Sequence, residues 1–308
     1  MSATHNDGRF SAREPSLSVT PRQPQQKDQP FQFAPIPQLA FGLYQIPCNQ
    51  DGEAIIAAAI SSGYRHFDGG EFYQNEECLG RAIRASGISR KEFYITGKVW
   101  KDAIMVGGDA VENSVDASLK KLGFNNRDES YFDLMLLHWP VPGHFVKAYD
   151  ALQKMYHTGK VRALGLSNFN QLEYKELMSS GIVTIPPICN QMEVSAIMYR
   201  PDLIRFFQQE QMIVIAFKPL QRGGLLDQDL ICSLAKKYSV SVPQLLLRWT
   251  IQHGLAVACK TSLPQRMAEN RSVWHFTISS SDVELLDQLT TPEDIAKRTE
   301  REEASKQP

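Results

Sequence analysis

Residues 131–167 read YFDLMLLHWPVPGHFVKAYDALQKMYHTGKVRALGLS, and the pattern of this segment indicates the fold class. It begins with an apolar run from Tyr131 to His138, continues through a helical segment around Leu152, and ends with a second apolar run from Val161 to Ser167. Short apolar runs rich in β-branched and aromatic residues are typical of buried strands. The order strand, helix, strand indicates a βαβ unit with parallel strands.

The same alternation of strand and helix extends along most of the chain. We predict eight strands, at Leu39 to Tyr44, Tyr64 to Asp68, Phe93 to Val99, Tyr131 to His138, Val161 to Ser167, Ile188 to Glu193, Met212 to Phe217 and Ala256 to Lys260. Amphipathic helical segments separate them. This pattern predicts an α/β fold, the closed (β/α)8 TIM barrel. An open doubly wound sheet is the alternative, but a dinucleotide enzyme of that type would carry GxGxxG after the first strand, and this sequence has no such motif.

The chain divides into a leader, a barrel and a tail. Residues 1–33 are rich in Pro, Gln and Ser, with few aliphatic residues to bury, and we predict a disordered leader. Residues 34–291 form the predicted single-domain barrel. Residues 292–308 are a charged tail in which Glu293 and Lys297 have the i,i+4 spacing of a solvated helix.

Composition excludes several classes of function. The 33 basic and 34 acidic residues give a net charge of -1, which argues against nucleic-acid and anionic-membrane partners. No apolar run is long enough to span a bilayer. The five cysteines are scattered and form no CxxC, a pattern that favours reduced thiols over a disulfide framework or a zinc site. We expect a soluble, cytoplasmic monomer.

Four chemically active side chains lie at or after successive predicted strand ends. Asp68 ends the second strand and is followed by Tyr73, Lys98 lies at the end of the third, and His138 ends the fourth. Active sites of barrels lie at this end of the strands. Each residue alone has an ordinary structural explanation as a turn former, a surface charge or a hydrogen-bonding group, but their joint occurrence predicts one site.

Together the four residues suit the reduction of a carbonyl group. A tyrosine gives up its proton reluctantly unless a cation stabilises the phenolate, which Lys98 could supply while Asp68 keeps Lys98 charged. His138 would hydrogen-bond the substrate oxygen. A Schiff base on Lys98 is the catalytic alternative. A metal site is set aside, because His66 and Asp68 share a strand face without an evident third ligand.

A second candidate site follows the last strand. Residues 260–270 read KTSLPQRMAEN, in which Lys260 and Arg266 flank the hydroxyls of Thr261 and Ser262. Pro264 suits the first turn of a helix, whose N-terminus favours anions. This is also where barrels commonly bind phosphate. The segment predicts a phosphate clamp, with an ordinary exposed helix as the alternative.

From about Pro37 to Leu289 the sequence resembles the aldo-keto reductases. Three motifs carry the resemblance, together with Lys98 and the sequence LHWP at 137–140: GYRHFD at 63–68 with Tyr73 and the Asn-Glu pair at 75–76; GKVRALGLSNF at 159–169; and Lys260-Thr261 with Arg266, Glu269 and Asn270. The resemblance implies an NADPH-dependent reductase of aldehydes and small ketones.

The resemblance also implies a role for each site residue. Tyr73 is the implied proton donor, tuned by Asp68 and Lys98, and His138 orients the carbonyl. The substrate pocket is expected to include His138, Trp100, Trp139 and Tyr44. The implied cofactor residues are Ser167, Asn168 and Gln191 at the nicotinamide carboxamide, Phe217 stacked on its ring, Lys218 and Leu220 beside it, Lys260, Thr261, Ser262 and Arg266 at the 2'-phosphate, and Glu269 and Asn270 near the adenine.

Several departures from the family pattern bear on function. Phe217 replaces the usual Tyr, Lys218 replaces a common Ser, and the glycine pair at 69–70 replaces small residues. Few residues separate His138 from the next helix, and the C-terminal loop is short, so we expect an open mouth and weak substrate selectivity. A barrel that binds NADPH and regulates a partner is the non-catalytic alternative.

Overall fold

A computed structural model describes residues 15–17 and 34–307. The predicted disordered leader, residues 1–33, lies outside the described residues except at 15–17. There, β1 (Ser16–Leu17) pairs antiparallel with β2 (Ile36–Pro37), a pairing that the sequence analysis did not predict.

Eight parallel strands close into a barrel, which confirms the predicted fold. They are β3 (Leu39–Gly42), β4 (His66–Asp68), β5 (Tyr94–Val99), β6 (Leu134–Leu137), β7 (Leu164–Ser167), β8 (Cys189–Glu193), β9 (Ile213–Phe217) and β10 (Ala256–Cys259). Neighbours in sequence are neighbours in the sheet, and β10 pairs with β3 to close the circle. Each observed strand falls within its predicted range.

Helices connect the strands and surround them. They are α1 (Gln50–Ser61), α2 (Glu76–Ala85), α3 (Lys101–Val106), α4 (Asp109–Leu122), α5 (Phe145–His157), α6 (Gln171–Ser179), α7 (Pro201–Gln209), α8 (Asp229–Lys237), α9 (Val242–Gln252), α10 (Pro264–Arg271), α11 (Ser280–Asp287) and α12 (Pro292–Lys306). Short 3-10 helices occur at Glu71–Tyr73, Arg90–Glu92 and Gln221–Gly223. No helix of the described residues is both long and apolar enough to cross a bilayer.

Alternate residues of each strand belong to two different apolar layers. Met135 and Leu137 of β6 pack in the layer that also contains the helices, whereas Leu134 and Leu136 belong to a smaller cluster formed by strand residues of the barrel interior. This follows from the two-residue period of a strand. Residues of the second set at the C-terminal strand ends therefore point into the mouth of the barrel.

The charged tail forms α12, and one of its faces is buried. Arg298, Glu302 and Lys306 are spaced by four residues, and their exposed fractions are 7%, 7% and 1%. Lys306 pairs with Glu173 in the first turn of α6, and Glu302 pairs with Arg200 at the start of α7. The interpretation of the tail as a solvated helix is therefore wrong for this face.

Candidate active site

Strand alternation brings the four predicted catalytic side chains to one place. Asp68 shares the inward-facing set of β4 with His66, while Phe67 between them packs toward the helices. Lys98 has the same parity in β5 as the interior residue Tyr94, and His138 continues the interior set of β6. Tyr73 arrives from the 3-10 helix that follows β4.

Lys98 and Asp68 form a buried ion pair. The Lys98 Nζ donates to both carboxylate oxygens of Asp68 at 2.9 Å and to the backbone oxygen of Gly69 at 2.5 Å. Lys98 is 2% exposed, so an unpaired ammonium here would carry a large desolvation cost. The carboxylate offsets that cost and holds the amine in place.

Tyr73 lies against this pair and against His138. Its ring centroid is 4.8 Å from the Lys98 Nζ and 5.7 Å from the centroid of the His138 ring. A Cβ atom on Gly70 would lie 3.3 Å from the Lys98 Cβ and 3.5 Å from the Tyr73 ring. A glycine at this position therefore lets the loop that carries Tyr73 approach Lys98 closely.

The protonation of the three groups follows from burial and from each other's charge. Burial raises the pKa of the Tyr73 phenol, although the positive charge of Lys98 opposes the change. Burial alone would lower the pKa of Lys98, but Asp68 and Tyr73 more than offset it, so the pKa is raised. Burial and Lys98 together lower the pKa of His138 well below its ordinary value. At neutral pH the site thus holds a phenol, an ammonium and a neutral imidazole.

Aromatic side chains surround this cluster. Trp100 meets the His138 ring edge-on at 5.0 Å, and Tyr44 meets Tyr73 edge-on at 5.2 Å. Phe72, which the sequence analysis gave no role, stacks on Trp100 at 4.0 Å and is 47% exposed. Trp139 is partly buried and packs against the hydrophobic core.

Glu71 is a second residue whose role the sequence did not reveal. Its Oε2 accepts hydrogen bonds from the backbone N–H of Trp100 at 2.9 Å and from the Ser114 hydroxyl at 2.8 Å. Glu71 begins the 3-10 helix that ends at Tyr73. The bonds therefore tie the Tyr73 loop to the end of β5 and to α4.

Three polar side chains lie buried beside the catalytic cluster. Ser167 is the last residue of β7, and Asn168 comes directly after it. Gln191 lies in β8 and is the register partner of Ser167 in the sheet. Asn168 has a φ of 63°, a left-handed conformation that asparagine tolerates better than most residues. The Gln191 Nε2 donates to the Asp68 Oδ1 at 2.7 Å, so this cluster and the catalytic one are joined.

Phe217 and Lys218 lie at the adjacent strand end, with Leu220 half-buried just beyond them. The Lys218 Nζ donates to the Glu193 Oε2 at 3.0 Å, so this lysine is already paired. Glu193 also pairs with Arg298 of α12, which reaches the Oδ1 of Asn168 as well. The i,i+4 spacing of Arg298 and Glu302 is visible in the sequence, but nothing there indicates that this face of the tail is buried.

The predicted phosphate segment begins where β10 ends. β10 lies beside β9, and Lys260 follows two residues after Ala258, the register partner of Phe217. Lys260, Ser262 and Arg266 are exposed, Thr261 and Glu269 are half-buried, and α10 begins at Pro264. Asn270 is 2% exposed, and its Oδ1 has no hydrogen-bond partner.

These features fit a phosphorylated dinucleotide. Free cations beside a helix N-terminus suit a phosphate, and an unpaired buried acceptor suits an amino group such as that of adenine. In the described part of the chain, no group of three His, Cys, Asp or Glu could hold a metal ion.

The expected open mouth is wrong on one side. The connection after His138 is short, since α5 begins at Phe145. Beside it, however, at the ends of β7 to β9, α12 lies over Asn168 and Phe217, with the Arg298 guanidinium carbon 5.6 Å from the centroid of the Phe217 ring. The short C-terminal loop leads into a helix that covers part of the site.

Comparison with known proteins agrees with this geometry. A family model described as the aldo/keto reductase family matches residues 38–291. The chain belongs to the aldo-keto reductase family. This membership confirms the predicted family, the enzyme class of NADP-dependent oxidoreductases and the cofactor NADPH.

Several relatives of this aldo-keto reductase cover most of its length. "Uncharacterized oxidoreductase YtbE" of Bacillus subtilis is 34% identical, with 82% of this chain and 89% of the relative aligned. "Glyoxal reductase" of the same organism is 32% identical over 84% and 91%. "Aldehyde reductase YPR1" of Saccharomyces cerevisiae is 32% identical over 83% and 88%.

Solved structures extend the likeness to three dimensions. An aldo/keto reductase from Brucella melitensis matches with a TM-score of 0.75 at 34% identity, covering 83% of this chain and 96% of that one. A mutant of Gox0644 in complex with NADPH matches with a TM-score of 0.77 at 27% identity, covering 85% and 92%.

Proposed function

We propose that this aldo-keto reductase reduces aldehydes and small ketones to alcohols with Tyr73 as the proton donor. The observation that carries the proposal is the buried Lys98–Asp68 pair beside Tyr73, with neutral His138 on the other side. Each group is in the protonation state that the reaction needs at neutral pH.

The cofactor is assigned to residues that fit its parts. Ser167, Asn168 and Gln191 would hold the nicotinamide carboxamide, and Phe217 would stack on the ring. Lys260, Thr261, Ser262 and Arg266 would hold the 2'-phosphate, with Glu269 and Asn270 at the adenine. Bound NADPH supplies the hydride that reduces the carbonyl carbon. The exposed cations and the unpaired Oδ1 of Asn270 support these assignments.

The protein residues control the oxygen end of the carbonyl. Neutral His138 donates a hydrogen bond to the substrate oxygen, which orients the carbonyl and shares its developing charge. Tyr73 then transfers its hydroxyl proton to that oxygen. The Lys98 ammonium stabilises the phenolate left on Tyr73, and Asp68 keeps Lys98 charged throughout.

The walls of the site favour small carbonyl compounds. Phe72 and Trp100 form an apolar wall beside His138, and Tyr44 packs edge-on against Tyr73. α12 limits the space on the side of Asn168. Relatives named glyoxal reductase and aldehyde reductase support the same class of substrate.

The Schiff-base alternative is disfavoured by the charge on Lys98. A Schiff base requires a neutral amine nucleophile. The raised pKa of Lys98, which Asp68 causes against the effect of burial, keeps the amine protonated. Borohydride should therefore trap no carbonyl compound on Lys98, and trapping without NADPH would favour a lyase.

We also propose a cytoplasmic monomer without nucleic-acid or membrane partners. The closed barrel has no free strand edge to pair with another chain. The described cysteines are free thiols. Sedimentation of the full chain should give the mass of one copy.

The test of the reaction is NADPH oxidation by Tyr73→Phe, with Tyr44→Phe as the control. Tyr73→Phe should lower turnover of a small aldehyde by about 10²–10⁴-fold while NADPH still binds. Tyr44→Phe removes a hydroxyl from the neighbouring ring and should keep most of the activity. Unchanged turnover in Tyr73→Phe would exclude Tyr73 as the donor. Tight NADPH binding without turnover of any aldehyde, α-ketoaldehyde or sugar would favour the regulatory alternative.

A further inference from the structure

The buried face of α12 reaches the subsite assigned to the nicotinamide. One arginine, Arg298, donates to Asn168 at 3.2 Å, to Glu193 at 2.7 Å and to Glu302 at 2.8 Å. This arginine is 7% exposed, and its guanidinium lies near the face of Phe217. Both Asn168 and Phe217 are residues that the proposed function assigns to the nicotinamide.

We propose that Arg298 is an internal occupant of the nicotinamide subsite, so that α12 acts as a latch that NADPH must displace. The inference rests on the proposed function, because it takes the nicotinamide position from there. In the latched form the guanidinium occupies the place of the carboxamide. Binding of the cofactor and release of Arg298 from the subsite are then coupled.

The hydrogen bonds of Asn168 show why the two occupants compete. Its Nδ2 donates to the backbone oxygen of His138 at 3.0 Å and to the Ser167 Oγ at 3.1 Å, which uses both of its N–H groups. Only the Oδ1 remains to accept from a ligand; Arg298 already donates to it, and Asn168 is 5% exposed, so the second lone pair of this oxygen is shielded. A carboxamide N–H group would need the same oxygen.

The position of Phe217 supports the same conclusion. The Arg298 guanidinium carbon is 5.6 Å from the ring centroid. A stacked nicotinamide would need the space over this ring, with its carboxamide directed at Asn168. A guanidinium that contacts both residues stands between them, where the ring and its amide would lie.

Release of Arg298 leaves no buried carboxylate without a partner. Glu193 keeps its bond to the Lys218 Nζ at 3.0 Å, and Glu302 keeps its two bonds to Arg200 at 3.0 Å. Breaking a buried ion pair is costly mainly when it leaves one charge unpaired. Here each acid has a second cation, so the Arg298 side chain can leave the subsite reversibly while Glu302 still holds α12 to Arg200.

Linkage fixes how the latch affects cofactor affinity. A protein that is competent to bind only part of the time has an affinity lowered by that fraction. Couplings between two sites are typically about 5–150-fold. Removing the Arg298 side chain should therefore tighten NADPH binding by about fivefold or more.

The test is a titration of the full-length protein with NADPH, followed by quenching of its tryptophan fluorescence, which needs no turnover. Arg298→Ala should bind NADPH more tightly than the wild-type protein. Arg301→Ala, which removes an exposed arginine from the same helix, should bind NADPH no more tightly than the wild type. This control separates the latch from net charge, because loss of a cation by itself weakens binding of an anion.

A second variant and a second readout keep the proposal testable if Arg298→Ala fails to fold. Lys306→Ala loosens the far end of α12, where Lys306 pairs with Glu173, and should also tighten NADPH binding. In the wild type, saturating NADPH should increase amide hydrogen exchange in α12. Equal or weaker NADPH binding by both variants, or equal or increased protection of α12, would overturn the latch. Failure of every variant and of the wild type to bind NADPH would instead refute the proposed function.

Discussion

Asp68→Asn should make the reductase sensitive to pH in a range where the wild type is not. The substitution removes the carboxylate that lies 2.9 Å from the Lys98 Nζ. At an effective dielectric constant of about 20, two unit charges at this separation attract by about 6 kcal/mol. Burial of Lys98 then acts unopposed and favours the neutral amine, which lowers the pKa of this group. At about 1.4 kcal/mol per tenfold change, removal of this attraction shifts the loss of the ammonium proton to a much lower pH.

The sign of the effect follows from which form of Lys98 is active. The ammonium is needed to stabilise the Tyr73 phenolate, so the activity of Asp68→Asn is present at acidic pH and is lost as the pH rises. The raised pKa of Lys98 in the wild type delays the same loss to strongly alkaline pH. The assay is kcat for a small aldehyde at saturating NADPH from mildly acidic to mildly alkaline pH. A loss of rate of the same size at every pH would show that Asp68 only shapes the site and does not keep Lys98 charged.

Substitutions at three further positions test individual contacts of the site and of the fold. Glu71→Ala should lower kcat about tenfold, with little change in KM, because the N–H of Trp100 loses its acceptor, and Glu71→Gln should restore the rate, since one oxygen accepts both bonds. Arg266→Ala should raise KM for NADPH about tenfold and leave KM for NADH unchanged, as expected for loss of one charge-assisted hydrogen bond to the 2'-phosphate. Gly80→Ala should lower the thermal unfolding midpoint at a cost of about 1–3 kcal/mol, because a Cβ atom would lie 1.9 Å from the Leu122 oxygen.

The barrel could be predicted because each of its strands has a recognisable local sequence pattern. A buried parallel strand is a short apolar run such as LMLL at residues 134–137, and a turn and a helix follow it. The predicted strand from Tyr131 to His138 was too long at both ends. The backbone N–H groups of Phe132, Asp133 and His138 still bond to neighbouring segments, so the pairing extends beyond the regular strand at both ends.

The catalytic cluster could be predicted for a different reason. In a parallel barrel, every strand end meets the same mouth, so position in sequence translates directly into proximity. The proximity of Asp68, Lys98 and His138 follows from the barrel topology and requires no other long-range contact. Glu71 could not be assigned a role, because its partner is a backbone N–H group, and such a partner leaves no mark in the sequence.

The packing of α12 could not be predicted from its own residues. Charge at i,i+4 spacing is equally compatible with a solvated helix and with a face that meets charged partners elsewhere. The partners of Arg298 and Glu302 are Glu193 and Arg200, about a hundred residues away in the chain. A buried ion pair of this kind can be recognised only when the positions of both partner residues in the structure are known.

The latch changes what the short connection after His138 means for substrate range. No long loop covers the mouth from that side, because α5 begins at Phe145. At the neighbouring strand ends α12 narrows the mouth, and under the proposed coupling NADPH has already displaced Arg298 when the carbonyl compound arrives. The substrate then meets the wider form of the mouth, so binding should be ordered, with NADPH first. A permissive range of small aldehydes is therefore compatible with a helix that narrows the site in the absence of cofactor, because the narrowing and the chemistry belong to different states of the enzyme.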